Sequence, residues 1–262
     1  MGLNQNSTYL QCDDGRLGLR IFRDEVESGI RLLCFPHAGG QSLAFRSLAA
    51  ELPVDWGVFG VDPPGHGWAK GPPLDSVDKL ADYYMKWLPE RYRTGCILLG
   101  HSLGGLVAYA LASRMLDAGE PPLGLVLSAT RPPHRRDDYV SFASMDDATL
   151  LRALIEIGGV PKEWASEPEI FDSFKGSRAD FLAFDRFGPP RPLSHLPVFS
   201  CGGMQDMVCR PEHVFEWSRY CPGCHVDFVT GGHLYLQEAP AVTSRRLETF
   251  VGTIPRNRAS GR

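Results

Sequence analysis

Residues 100–104 read Gly-His-Ser-Leu-Gly, a G-x-S-x-G pattern between the apolar run Cys96-Ile-Leu-Leu-Gly100 and an Ala- and Leu-rich stretch over 103–118. A serine on a sharp strand-to-helix turn presents its Oγ openly, and small neighbours let the chain turn so tightly. An N-cap serine is the competing reading of such a position, but it leaves the glycines on both sides unexplained. A serine hydroxyl is a weak nucleophile until a base takes its proton, so Ser102 calls for a histidine and an acid elsewhere in the chain.

Where such an elbow sits on a parallel sheet, the partners follow in the order Ser, Asp or Glu, His, in loops at C-terminal strand ends. Asp206 follows the apolar run 197–201 through Gly202-Gly203-Met204-Gln205, and His233 follows the run 225–229 through Thr230-Gly231-Gly232. Of the eight histidines, His233 alone has the right order, the right loop and a place just before the last helix. His213, on an expected helix, and His225, at a strand start, read as surface or packing residues. Asp227 lies within a strand and is a poor rival to Asp206. The oxyanion formed on attack needs two backbone N–H donors. Leu103, next after the nucleophile, supplies one. The loop Phe35-Pro-His-Ala-Gly-Gly40 supplies the other, with Ala38 as the assigned donor and His37 as a structural histidine.

The rest of the chain must hold these loops at one edge. Residues 7–12 and 17–23 read as an opening antiparallel hairpin around Asp14-Gly15. Short apolar runs at 31–35, 57–61, 96–100, 123–129, 197–201 and 225–229 read as buried strands, and helical patterns separate them. Among these are Phe45, Leu48 and Leu52; Val77, Leu80, Tyr84, Trp87 and Leu88 within 76–93; and a closing helix over 239–251. The alternation implies a mostly parallel central sheet flanked by helices. With the ordered Ser, Asp and His, this is an α/β-hydrolase fold. Between Thr130 and Leu196 only helices are expected, over 146–157 and 168–187. That stretch is too long for a connection, so residues 131–190 are read as a helical lid inserted between two late strands. Residues 1–130 and 191–254 form the core, and 255–262 a frayed, disordered tail.

Bulk properties limit the alternatives. The 262 residues suit one domain with an insertion, and a net charge of −4 gives no reason to expect nucleic acid or membrane as a partner. Seven cysteines, an odd number, argue against a disulfide scaffold, and the polar start MGLNQNSTYLQCDD has no signal-peptide core. A cytoplasmic location is expected, with no cofactor and no metal.

Taken together, the motifs resemble the type II thioesterases that accompany nonribosomal peptide and polyketide synthases. The resemblance rests on LCFPHAGG at 33–40, GHSLGG at 100–105, GGVPKEW at 158–164, RAD at 178–180, the Gly202–Asp206 loop with Trp217 beyond it, and GGHLYL at 231–236. It implies Ser102, Asp206 and His233 as the triad, Ala38 and Leu103 at the oxyanion hole, and an acyl or aminoacyl group on the phosphopantetheine arm of a carrier protein as substrate. The turn Asp62-Pro-Pro-Gly-His-Gly67 departs from the PGRE-like turn usual in the family. A medium-chain fatty acyl thioesterase or a small-molecule carboxylesterase on the same fold is the alternative, because fold does not set substrate.

Arg131, His134, Arg135 and Arg136 are read either as a docking patch for an acidic carrier protein or as a solvated basic turn. Phe171, Phe174, Phe181, Phe184 and Phe187, near helical spacing, are read as lid core or substrate wall. Cys221-Pro-Gly-Cys224 lacks the second close pair that a zinc site needs and the βαβ opening of a redox motif.

Overall fold

The computed structural model describes residues 8–12, 16–24, 29–135, 139–156 and 168–255. Eight strands make one sheet in the order β1-β2-β4-β3-β5-β6-β7-β8. They are β1 Thr8–Cys12, β2 Leu17–Arg23, β3 Arg31–Phe35, β4 Gly57–Asp62, β5 Cys96–His101, β6 Gly124–Ser128, β7 Val198–Gly203 and β8 His225–Val229. The β1–β2 and β2–β4 pairs are antiparallel, and the pairs from β4–β3 through to β7–β8 are parallel. The opening hairpin and the mostly parallel sheet expected from the sequence are both present. The Asp14-Gly15 turn lies outside the described residues.

Side-chain alternation sorts the core into two layers. Leu33, Phe35, Phe59, Val61 and Leu98 face α2 (Val77–Trp87) and α4 (Leu103–Asp117). Leu32, Cys34, Val58, Ile97 and Leu99 face α1 (Arg46–Glu51) and α9 (Pro240–Thr253). Both faces are covered, so the inner strands read as continuous apolar runs and not as alternating ones. Residues 76–93 are not one helix. The first ends at Trp87, Leu88 is extended (φ −71°, ψ 120°), and a short α3 follows over Glu90–Arg93. Pro89 causes the break, since a residue preceding proline is pushed out of the α region.

Between β6 and β7, which pair directly, the described residues hold a short 3₁₀ turn at Phe142–Ser144, α5 (Asp147–Glu156) and α6 (Pro168–Arg186), and no strand. Asp146 caps α5, accepting from the Thr149 N–H at 2.9 Å. Leu150, Leu151, Leu154 and Phe181 form their own small core, while Ala183 and Phe187 join the main one. Within the RAD motif, Arg178 donates to the Ala143 carbonyl at 3.2 Å and pairs with Asp147, fixing α6 to α5. Residues 157–167, with the GGVPKEW motif, and 256–262, most of the expected tail, lie outside the described residues.

Beyond β7 come α7 (Pro211–Phe215) and a 3₁₀ turn, Glu216–Arg219, that buries Trp217 completely. Its indole N–H donates to the Thr130 carbonyl at 2.6 Å, and its ring lies 5.4 Å from Tyr109. This ties the chain after β7 to the end of β6. Trp217→Ala is expected to cost about 3–5 kcal/mol through the cavity alone, with the Thr130 carbonyl left unmatched besides. Urea unfolding measures it, and a loss under about 1 kcal/mol would contradict this packing.

Candidate active site

Ser102 sits between β5 and α4 with φ 56° and ψ −119°, a backbone conformation that a residue with a Cβ rarely adopts. The surroundings over-determine it. The Ser102 N–H donates to the Ser128 carbonyl at 2.8 Å, and the Thr130 hydroxyl to the Ser102 carbonyl at 3.2 Å. A Cβ on Gly100 would overlap the Gly104 carbonyl, and one on Gly104 would overlap the Phe35 carbonyl. The two glycines are therefore required by the close passage of β5, α4 and the loop after β3.

The loops after β7 and β8 are joined to each other. Met204 N–H donates to the Val229 carbonyl at 2.8 Å, Gln205 N–H to the Gly231 carbonyl at 2.9 Å, and Gly231 N–H to the Gln205 side-chain oxygen at 2.6 Å. Asp206 and His233, buried within these loops, meet with Nδ1 2.8 Å from Oδ2. The second Asp206 oxygen accepts from the Val208 and Cys209 N–H groups at 2.8 and 2.9 Å. On its other side His233 places Nε2 3.1 Å from the Ser102 Oγ. The three residues picked by order and loop are thus brought to hydrogen-bond distance, across sequence separations of 27 and 131 residues.

Leu103 follows Ser102 directly, and Ala38 lies in the loop after β3, whose Phe35 and Pro36 carbonyls pass close to Gly104. The turn 37–40 closes through Gly40 N–H to the His37 carbonyl at 2.9 Å, and the first N–H groups of a helix have no intrahelical acceptor. Among the described residues, neither the Ala38 nor the Leu103 N–H is spent on a protein acceptor. Two more imidazoles lie close. His101 is 5.3 Å from the His233 ring and 5.9 Å from that of His37. Burial, and next the nearby His233, lowers the His37 pKa to about 4 and pushes that of His101 well below its usual value. Both are neutral when His233 works, so neither opposes charge on it. His101 is anchored from beneath: its Nδ1 lies 2.9 Å from the Ser128 hydroxyl, itself 2.6 Å from the Tyr235 hydroxyl.

A cavity of about 250 Å³ opens at Ser102, walled by Tyr139, Val140, Phe142, Met145, Ala153, Phe184, Met207 and Val208, with Arg131 and Glu156 as its charged groups. Of the lid aromatics, Phe184 lines this cavity, whereas Phe181 stacks on Phe142 and Phe187 is in the core. The side chains of Phe171 and Phe174 are outside the described set. The basic turn is not simply solvated. Arg131 is buried with its guanidinium 5.7 Å from the Tyr139 ring, and Glu216 holds His134 at 2.8 Å and Arg135 at 3.6 Å. Arg136 is outside the described residues. His213 is fully buried, His225 is exposed, and Asp227 pairs with Arg246 at 3.1 Å. Burial pushes the Cys221 thiol up to about 12, which disfavours the thiolate that redox and zinc chemistry need. No helix among the described residues is long and apolar enough to cross a membrane.

Sequence motifs gave no sign of Gln205 joining the acid and base loops, nor of Thr130, Ser128 and Tyr235 supporting the elbow and His101. These residues act through partners distant in sequence.

A family model described as a thioesterase domain matches residues 30–250, and the chain belongs to that family. It is 30% identical to Thioesterase PikA5 of Streptomyces venezuelae over 87% of this chain and 83% of that protein. It is 31% identical to a probable anguibactin biosynthesis thioesterase, AngT, of Vibrio anguillarum, over 80% of this chain and 86% of that one. Among solved structures, BorB, a type II thioesterase from the borrelidin biosynthetic cluster, matches with a TM-score of 0.78 at 26% identity, covering 89% of this chain and 97% of its own. YbtT, a type II thioesterase from the yersiniabactin NRPS/PKS pathway, matches with a TM-score of 0.77 at 25% identity, covering 90% and 99%. The chain has the α/β-hydrolase fold and is a thioester hydrolase.

Proposed function

We propose that this protein is an editing, type II thioesterase that removes acyl or aminoacyl groups from the phosphopantetheine arm of carrier proteins in nonribosomal peptide or polyketide synthesis, working in the cytoplasm. The observation that carries the reading is the line Asp206–His233–Ser102 ending in the acyl-sized cavity. The likeness to YbtT, a type II thioesterase from an NRPS/PKS pathway, supports the same class of synthase.

In the mechanism, His233 Nε2 takes the Ser102 proton as Oγ attacks the thioester carbonyl. The Ala38 and Leu103 N–H groups receive the oxyanion. The thiol leaves with the proton from His233, and water, activated by the same imidazole, releases the acid and frees Ser102. Asp206 holds the Nδ1–H tautomer and stabilises the imidazolium. Residues 131–190 act as a lid that shields the acyl-enzyme and supplies most of the cavity wall. No cofactor is needed.

The apolar wall also suits the second reading, a medium-chain fatty acyl thioesterase or small-molecule carboxylesterase. Comparing kcat/KM on acyl carrier protein, the matching acyl-coenzyme A and a p-nitrophenyl ester separates them. Editing requires carrier-bound substrate to lead, and a p-nitrophenyl ester turned over best would overturn it. Within the cavity, Phe184→Ala is expected to shift preference toward longer or bulkier acyl groups by about 10-fold in kcat/KM, the worth of one or two methylenes. An unchanged ranking across an acyl series would remove Phe184 from the wall.

A further inference from the structure

The loop carrying Ala38 is held by α6. Its Gly39, at φ +73°, donates its N–H to the Asp180 carboxylate at 2.7 Å, and a Cβ on Gly39 would run into Ser177 of the same helix. The Asp180 side chain is almost fully buried. The same oxygen, Oδ2, lies 3.0 Å from Nε2 of His66, in the loop after β4. His66 is also nearly buried, and its Nδ1 lies 3.2 Å from the Pro64 carbonyl. Nε2 thus faces the Asp180 carboxylate at ion-pair distance and Nδ1 faces the Pro64 carbonyl, so the oxygens on both sides favour the imidazolium.

We propose that Asp180, paired with a protonated His66, is a positioning residue for the oxyanion hole, holding the 37–40 loop so that the Ala38 N–H meets the developing charge. The inference rests on the assignment of Ala38 made above. Asp180 touches no reacting atom. It acts through Gly39, one peptide from the donor, and so affects kcat more than KM, since oxyanion contacts strengthen in the transition state. The groups around His66 agree with its charge. Asp180 faces it from α6 and Asp62 from the end of β4. Tyr84 of α2 and His37 of the oxyanion loop, which line one small cavity with Asp180, are neutral, the first raised and the second lowered by burial. Burial works against the imidazolium, but Asp180, the Pro64 carbonyl and Asp62 outweigh it and raise the His66 pKa. While the carboxylate is ionised, the pairing therefore holds below the raised value and is lost as pH climbs through it.

The test uses the full chain and a small acyl thioester, with kcat and KM measured from pH 6 to 9 for wild type, Asp180→Asn, His66→Asn, His66→Arg and Ser102→Ala, alongside thermal melts. Asp180→Asn is expected to lower kcat about 10- to 100-fold with KM changed less than about 3-fold. His66→Asn lowers kcat in the same sense. His66→Arg, a cation at every pH, recovers most of that loss and keeps kcat where wild type declines at alkaline pH. Should Asp180→Asn fail to fold, the contrast between the two His66 variants carries the test. A wild-type kcat in Asp180→Asn, or His66→Arg indistinguishable from His66→Asn, overturns the proposal alone. Activity retained in Ser102→Ala overturns the triad and the proposal with it.

Discussion

Replacing Ser102 with alanine is expected to lower kcat for thioester hydrolysis by about 10⁴- to 10⁶-fold and to abolish labelling by a fluorophosphonate, while the thermal melt stays near wild type. The size of the loss follows from the chemistry. Without Oγ there is no acyl-enzyme, and what remains is binding and the oxyanion donors acting on attack by water, a residue of about 10³–10⁴ over the uncatalysed rate. The intact fold follows from the geometry. Serine already holds φ 56° with a Cβ, so alanine adds no backbone strain, and the elbow's anchors, Ser102 N–H to the Ser128 carbonyl and Thr130 to the Ser102 carbonyl, are untouched. An unfolded variant would mean that the elbow depends on the hydroxyl, which these contacts give no reason to expect.

Asp206→Asn is expected to lower kcat by about 10⁴-fold with little change in KM. Asp206 uses its two oxygens differently. Oδ1 accepts from the Val208 and Cys209 N–H groups and Oδ2 faces His233 Nδ1. In asparagine the carbonyl oxygen keeps the backbone donors, which places the NH₂ toward Nδ1. Nδ1 must then accept, the ring proton moves to Nε2, and Nε2 can no longer take the Ser102 proton. The loss therefore comes from tautomer and charge and not from misfolding. Part of it should return at high pH, where hydroxide takes the Ser102 proton in place of His233. A pH profile of kcat for both enzymes checks this. An Asp206→Asn enzyme within about 10-fold of wild type would show that another acid serves His233.

Much of this arrangement is legible in the sequence because it rests on local chemistry. Buried parallel strands are continuous apolar runs, and the loops after β5, β7 and β8 are marked by glycines. The order Ser102, Asp206, His233 then selects residues that the fold brings to 3.1 and 2.8 Å. What was not legible depends on contacts between distant segments. Helical spacing ran on past Leu88, whereas Pro89 decides the backbone. The basic turn suggested a solvated or docking surface, yet Arg131 is folded inward over Tyr139, and Glu216, 82 residues from His134, binds that histidine. Asp180 closes the RAD motif, but nothing in that motif marks it as a support of the oxyanion loop, because its partner Gly39 is 141 residues away. Phe181 and Phe184 divide between the small core and the cavity by which face of α6 they occupy, and that is set only once α6 lies against α4 and the Phe142–Ser144 turn.

The most direct measurement is intact-mass analysis of a carrier protein loaded with a panel of short acyl and aminoacyl groups, incubated with wild-type enzyme and with Ser102→Ala. The expected result is loss of the acyl mass from the phosphopantetheine arm with wild type only, across several acyl groups. Acyl groups that stay on the carrier with wild-type enzyme, or leave equally fast with Ser102→Ala, would contradict Ser102-dependent removal of thioesters from carrier proteins.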